Sequence, residues 1–184
     1  MICLFSIQAW AQSGKLFNTD NQLSSNLATQ VFQDKSGFIW IATRNGLNTY
    51  DGYHITVIKK DMSNFLGLNS NYINSIAQDE KEHILLGTNN SLLEFTGSEF
   101  LKIPMLDSKG GELATYIKQV YPLKNKDVAV ATSGYGIMLK KQDEQKCHAM
   151  KGEVEKLKYI LKLLEDKRGR LWIITEDGKL YRKE

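Results

Sequence analysis

Asp34 and Asp79 lie 45 residues apart, and the same step carries Trp40 to Leu85, Thr43 to Thr88, Tyr50 to Phe95 and Gly52 to Gly97. The stretch QDKSGFIWIATRNGLNTYDG (33–52) therefore recurs in register as QDEKEHILLGTNNSLLEFTG (78–97). A looser copy, DVAVATSGYGIMLKK, puts Thr132 44 residues after Thr88, and a fourth, LLEDKRGRLWIITEDGKLYRK, puts Thr175 43 after Thr132. A period near 44 points to an array of supersecondary units, each burying its apolar surface on its neighbours.

Within a unit the periodicity is that of strands. Leu27, Thr29 and Val31 alternate with Ala28, Gln30 and Phe32, which predicts a half-buried strand. Asp34 can accept backbone hydrogen bonds at the start of a turn, and Gly37 suits a position of positive φ. FIWIAT (38–43) is apolar and rich in β-formers, as expected of a strand covered on both faces. Asn45-Gly46 predicts a type I′ hairpin with both residues at positive φ, returning the chain through LNTYD, and Gly52 turns it again into HITVIKK. Four antiparallel strands without a helix must be covered by the sheets before and after them. Radially stacked sheets of this kind are the blades of a β-propeller, so the expectation is all-β, with about four repeats of four strands each. EVEKLKYILKLLED spaces Val154, Leu157, Ile160, Leu161 and Leu164 as a helix would, but Trp172 keeps the repeat register of Trp40, which predicts a strand over 159–164.

With 42% hydrophobic and 24% charged residues, the 184-residue chain can bury a core. Its 24 basic and 21 acidic groups, without a long basic run, argue against a nucleic-acid or anionic-membrane partner. KRGR (167–170) reads as a solvated turn. Residues 1–11 are apolar, too short to span a bilayer, and end Ala9-Trp10-Ala11. We read them as the remnant of an export signal; the alternative, given that they lack a basic start, is an apolar N-terminal strand. Cleavage would leave Cys147 as a lone thiol beside His148, short of the ligands zinc needs.

Gln22 to Gly52, QLSSNLATQVFQDKSGFIWIATRNGLNTYDG, resembles the two-component regulator propeller repeat, G-L-S-x-N-x-V-x-x-I-x-Q-D-x-x-G-x-L-W-I-G-T-x-x-G-L-x-x-Y-D-G. It departs at Gln22, Phe32 and Ala42. The second unit keeps GLNSN (67–71) and QD (78–79) but has Leu85 for the Trp, the fourth keeps EDKRGRLWIIT, and the third is loosest, with Pro122 for the Asp and one residue more between Thr132 and Gly136. The resemblance covers residues 15–184. It implies the periplasmic sensor region of a hybrid two-component system of Bacteroidetes, binding a polysaccharide-derived ligand and signalling to a histidine kinase outside this chain. Propellers of the family resemble rings of about seven blades, or about 300 residues, so the organisation expected is a signal remnant at 1–11 and a partial propeller at 12–184. Its units run over about 23–67, 68–111, 112–154 and 155–184.

Asp34, Asp79 and Asp166 read as turn caps, too far apart around a ring to share an ion. The threonines read as hairpin locks, and Trp40 and Trp172 as core between blades rather than sugar platforms. Ligand contacts are expected from one rim: Arg44, Asn45, Ser133, Tyr135, Glu176, Asp177, Asn89 and Asn90 in the B-to-C turns, and Asn69 and Asn71 in the D-to-A connections. Amides, Arg and Tyr suit sugar hydroxyls and pyranose faces. With His54, His83 and His148 scattered, no catalytic set, metal site or cofactor motif is visible. A glycan lyase or hydrolase using Glu176 and Asp177, or a structural scaffold, are the alternatives to a sensor.

A sheet unit tuned to about seven blades does not close as four, so we expect an open arc in which the strand read at 15–18 stays unpaired with the last blade. Its end blades would expose apolar faces and strand edges. The chain from Gln12 to Glu184 should therefore self-associate when expressed alone. Size-exclusion chromatography with light scattering tests this; a monodisperse monomer with cooperative unfolding would indicate a complete four-unit domain.

Overall fold

The structure, a computed structural model, describes residues 14–60 and 67–184. The expected signal remnant at 1–11 lies outside the described residues. Sixteen strands form four sheets. The first sheet holds β1 (Ala28–Gln33), β2 (Ile39–Thr43), β3 (Gly46–Tyr50) and β4 (Ile55–Ile58), and the second β5 (Ile73–Gln78), β6 (Ile84–Thr88), β7 (Leu92–Phe95) and β8 (Phe100–Ile103), both in plain meander order. The third contains β10 (Tyr116–Pro122), β11 (Val128–Ser133), β12 (Ile137–Lys140) and β13 (Cys147–Ala149), and β9 (Met105–Leu106) joins its outer edge. The fourth is β14 (Ile160–Glu165), β15 (Leu171–Thr175) and β16 (Leu180–Lys183). Among the described residues, no helix is long and apolar enough to cross a membrane.

The sheets meet in chain order and mainly through their first strands, β1 on β5, β5 on β10, β10 on β14, while the outer strands diverge. That fan is the geometry of propeller blades around an axis lined by β1, β5, β10 and β14. Each gap between sheets holds one core: Trp40, Leu47 and Ile58 with Ile76, Leu86 and Phe100; Leu85, Leu92 and Ile103 with Ile117, Val130 and Met138; Ala129 and Ala131 with Ile160, Leu163 and Ile173. All five residues of β6 are buried, as the apolar run predicts for a strand covered on both sides. The half-burial expected of the first strand holds on one face only: Gln30 and Phe32 lean on the second sheet, whereas Val31 is 62% exposed.

Two features set the blade spacing. Every first strand carries a bulge, at Thr29, Asn74, Lys118 and Leu161. The residue after the bulge reaches the next blade: Gln30 Oε1 accepts from Ile76 N (2.9 Å), Ser75 Oγ from Val120 N (3.0 Å) and Gln119 Oε1 from Leu163 N (2.7 Å). The residue before each lock threonine must stay small where another blade follows. Ala42 and Ala131 are fully buried, and a Cβ on Gly87 would come within 2.5 Å of Ile117 Cγ2. The fourth unit has Ile174 at this position, 39% exposed with no sheet beyond it.

Some expectations are corrected, while the three-stranded last unit, the unjoined ends and the strand from Ile160 are as expected. The third sheet has five strands, because the chain after Pro104 runs parallel to β13 and covers its open edge; the fourth has three. Residues 15–18 form no strand; Asn18 caps a short 3-10 turn at Thr19–Asn21, and Phe17 packs edge-on against Tyr50 at 5.2 Å. β16 pairs with β15 alone, so the two ends do not join. Within 153–164, Glu153–Lys156 makes one 3-10 turn, and pairing with β15 holds Ile160 onward as strand despite the helical spacing. Asn45 is not at positive φ, so its turn is not type I′. Thr43 closes it instead: Oγ1 accepts from Asn45 N (3.1 Å) and donates to Gly46 O (2.8 Å). Thr88, Thr132 and Thr175 donate to Ser91, Gly136 and Lys179 carbonyls in the same way.

The first turn of each unit requires positive φ at its last position: Gly37 (93°), Glu82 (68°), Lys126 (73°) and Gly169 (80°). Two units thus hold side chains in a left-handed conformation, which costs about 1–2 kcal/mol per residue, part of it returned to glycine's extra entropy. Glu82→Gly and Lys126→Gly should each stabilise by about 0.5–1 kcal/mol in urea unfolding, whereas Gly87→Val, which forces the second and third sheets apart, should cost about 3 kcal/mol.

Candidate functional site

The bulges aim side chains at the axis. Ahead of each lies a residue at the repeat step of the lock threonines: Leu27, Tyr72, Tyr116 and Tyr159 are separated by 45, 44 and 43 residues, as are Thr43, Thr88, Thr132 and Thr175. The rings of Tyr72 and Tyr116 meet edge-on at 6.0 Å. Arg44 lies 5.6 Å from the Tyr72 ring centre, and the Lys118 ammonium sits 4.6 Å from that of Tyr116. With Thr29 and Asn74 these groups line a cleft of about 400 Å³ across the first three blades. Tyr116 donates to Asn74 Oδ1 (2.9 Å), leaving Asn74 Nδ2 buried without a hydrogen-bond partner among the described residues. Lys118 pairs with Glu176 at 3.4 Å, linking the cleft to a groove of about 530 Å³ lined by Tyr159, Glu176, Asp177 and Tyr181.

Of the ten rim residues proposed from sequence, Arg44 lines the cleft and Glu176 and Asp177 the adjoining groove. The amides are committed to the fold. Asn69 exchanges hydrogen bonds with Ser91 Oγ (3.0 and 3.1 Å), and Asn71 Oδ1 accepts from Lys60 N (2.7 Å). Asn89 Oδ1 accepts from Ser70 Oγ (2.7 Å), and Asn90 Oδ1 from Thr88 Oγ1 (2.9 Å). Asn45 stays exposed at its turn. Tyr135 faces away from the axis, over an outer groove with Leu106, Met150 and Glu155. Tyr72, Asn74, Tyr116 and Lys118 escaped the sequence reading; their signal is the shared step with the threonines, hidden because the first unit has Leu27.

Hydrogen bonds from Lys179 and Thr175 bring the Asp177 carboxyl down to about 2, ionised and poorly suited to donate a proton. Asp166 lies well below the usual carboxylate range, held there first by the indole N–H of Trp172 and then by Arg170. Asp34 binds Trp40 Nε1 likewise at 2.7 Å, so the aspartates are turn anchors and their tryptophans are tied to them. Trp40 is buried against Phe95 of the next blade, as expected; Trp172 is half-buried between Arg170 and Arg182 instead.

The model of the family described as two component regulator propeller matches residues 22–45, 67–90 and 156–177, in the first, second and fourth units. Three segments of the chain are thus similar to two-component regulator propeller repeats. Among solved structures, these repeats superpose on the extracellular domain of BT4673 from B. thetaiotaomicron, titled a hybrid two-component system, with a TM-score of 0.74 at 17% identity over 85% of this chain. PorZ of Porphyromonas gingivalis, a surface component of its type-IX secretion system, gives 0.64 at 19% over 85%. Virginiamycin B lyase from Staphylococcus aureus gives 0.60 at 11% over 85%. The propeller repeats here span 23%, 26% and 55% of those chains. No curated protein matches the chain in sequence.

Burial, and then the neighbouring Tyr72, push the Tyr116 phenol up to about 12 from an ordinary value of 10. The folded state therefore holds that proton more tightly than the unfolded chain, so the contribution is fully present below pH 10 and is lost as pH rises from about 10 through about 12. A spectrophotometric tyrosinate titration should show a last phenol ionising near 12, a step that Tyr116→Phe removes.

Proposed function

We propose that these propeller repeats are the extracytoplasmic ligand-sensing region of a hybrid two-component receptor, and that the axial cleft binds a polysaccharide-derived ligand for a kinase outside this chain. The observation that carries the reading is the cleft: bulged inner strands turn Tyr72, Tyr116, Asn74 and Lys118 toward one space beside Arg44. Tyrosine rings offer faces for pyranose C–H groups. Asn74 Nδ2 offers a donor with no internal partner, and Arg44 and Lys118 offer charged donors for hydroxyl or carboxylate oxygens. The volume of about 400 Å³ suits a few sugar rings. The likeness to an extracellular domain of a two-component system supports the placement outside the cytoplasm. We propose Arg44 and Asp177 as ligand contacts on this rim, and assign Asn45, Asn69, Asn71, Asn89, Asn90 and Tyr135 no more than a supporting part.

Isothermal titration with a panel of neutral and uronate-containing oligosaccharides tests the proposal. Tyr116→Ala and Asn74→Ala should each weaken the responding ligand about tenfold or more, near 1.4 kcal/mol, without changing Tm by more than a few degrees. Tyr135→Ala, on the outer groove, should leave affinity unchanged. Binding that survives both cleft variants, or the absence of any oligosaccharide response, would overturn it.

A further inference from the structure

At the opposite end of the second blade, Asp79, His83 and Glu94 bring one ligand atom each within 4.8 Å of one another. We propose that these three side chains hold a divalent transition-metal ion, zinc by the chemistry of the donor set.

The site arises from a substitution within the repeat. In the first and fourth units the second carboxylate oxygen of the turn aspartate accepts an indole N–H, from Trp40 to Asp34 (2.7 Å) and from Trp172 to Asp166 (3.0 Å). The second unit has Leu85 in place of the tryptophan, and Leu85 is buried in the core shared with the third blade. Asp79 Oδ1 keeps its turn bond to His83 N (2.9 Å), but Oδ2 accepts no hydrogen bond among the described residues although Asp79 is only 6% exposed. His83 and Glu94 converge on that atom, His83 Nδ1 lying 3.7 Å from Asp79 Oδ2 and 3.2 Å from Glu94 Oε1. Zinc bonds to nitrogen and carboxylate oxygen of about 2.0–2.2 Å set tetrahedral ligand atoms roughly 3.3–3.5 Å apart, which both distances bracket. His83 is 30% exposed along its side chain, leaving solvent access for a fourth ligand.

Charge argues the same way. The charged group facing the cluster from the third blade is Lys140, 2% exposed, with Nζ 3.9 Å from Glu94 Oε1. Two carboxylates against one ammonium leave one negative charge nearly without water, and such a charge is costly unless neutralised. A metal ion on His83 Nδ1 engages both carboxylates. The imidazole donor favours zinc over magnesium or calcium, and the nearby Lys140 ammonium moderates the affinity.

The full chain, stripped with chelator, should bind zinc at one equivalent by isothermal titration. Tm should rise by roughly 5–10 °C at a hundredfold excess over Kd, with no response to magnesium. Co²⁺ should give the visible absorption of a tetrahedral site. His83→Arg reproduces the pair that Arg170 makes with Asp166 and so should fold with its chelated Tm retained, while losing at least about a hundredfold in zinc affinity. Lys140→Met should tighten binding about tenfold by removing a like charge. Zinc binding undiminished in His83→Arg, or no one-equivalent binding by the unsubstituted chain, would overturn the proposal.

Discussion

Among the described residues no α-helix lies on a sheet, so the contact between successive sheets supplies the core. That contact is polar at its inner end and apolar beyond. Gln30, Ser75 and Gln119 each hand a side-chain oxygen to an amide of the next inner strand, one per gap. A buried N–H left unmet costs about 1–3 kcal/mol, so these bonds fix the angle at which one sheet meets the next as well as adding stability. Outward from them, alanine or glycine before the lock threonine allows the backbones to approach, and branched aliphatic side chains fill the widening gap.

The bulge that frees the next blade's amide also serves the site. An extra residue in an antiparallel strand turns its side chain out of the ladder. Here the extra residues are Thr29, Asn74 and Lys118 in the cleft-lining strands, and they point where the inner strands converge. Scaffold and recognition are thus produced by one irregularity repeated at each inner strand, which is why the cleft spans three sheets without needing a long loop.

Much of the fold was legible because the repeat is written in residues whose roles are local. Asp34, Asp79 and Asp166 cap turns wherever they occur, and a threonine hydroxyl closes the following hairpin in every unit. What depends on partners distant in sequence was not legible. The parallel edge strand at Met105–Leu106 is decided by the open side of β13, and the Asn45-Gly46 turn is decided by Thr43 and by the bond from Gly46 N to Asn71 O rather than by the dipeptide's own preference. Of the candidate site, Arg44, Glu176 and Asp177 were named from the sequence. Asparagines on the rim looked like ligand donors, but a short amide beside a hydroxyl in a tight turn satisfies its own chain first.

Comparing the units of one chain separates structure from individuality. The lock threonine is the same in all four units, and in each its hydroxyl donates to a carbonyl of the following hairpin. Residues before and at the bulge differ, running Leu27-Ala28-Thr29, Tyr72-Ile73-Asn74, Tyr116-Ile117-Lys118 and Tyr159-Ile160-Leu161. Ile73, Ile117 and Ile160 are fully buried, whereas Ala28 is exposed beside the cleft, and the neighbours of these middle residues change from blade to blade. The position four after the turn aspartate varies as freely, through Phe38, His83 and Arg170, since it needs only to suit whatever the aspartate's second oxygen holds. Variation at the axial cleft and at the aspartate turn, at opposite ends of the blade, is what a scaffold shared by all units and chemistry particular to each would produce.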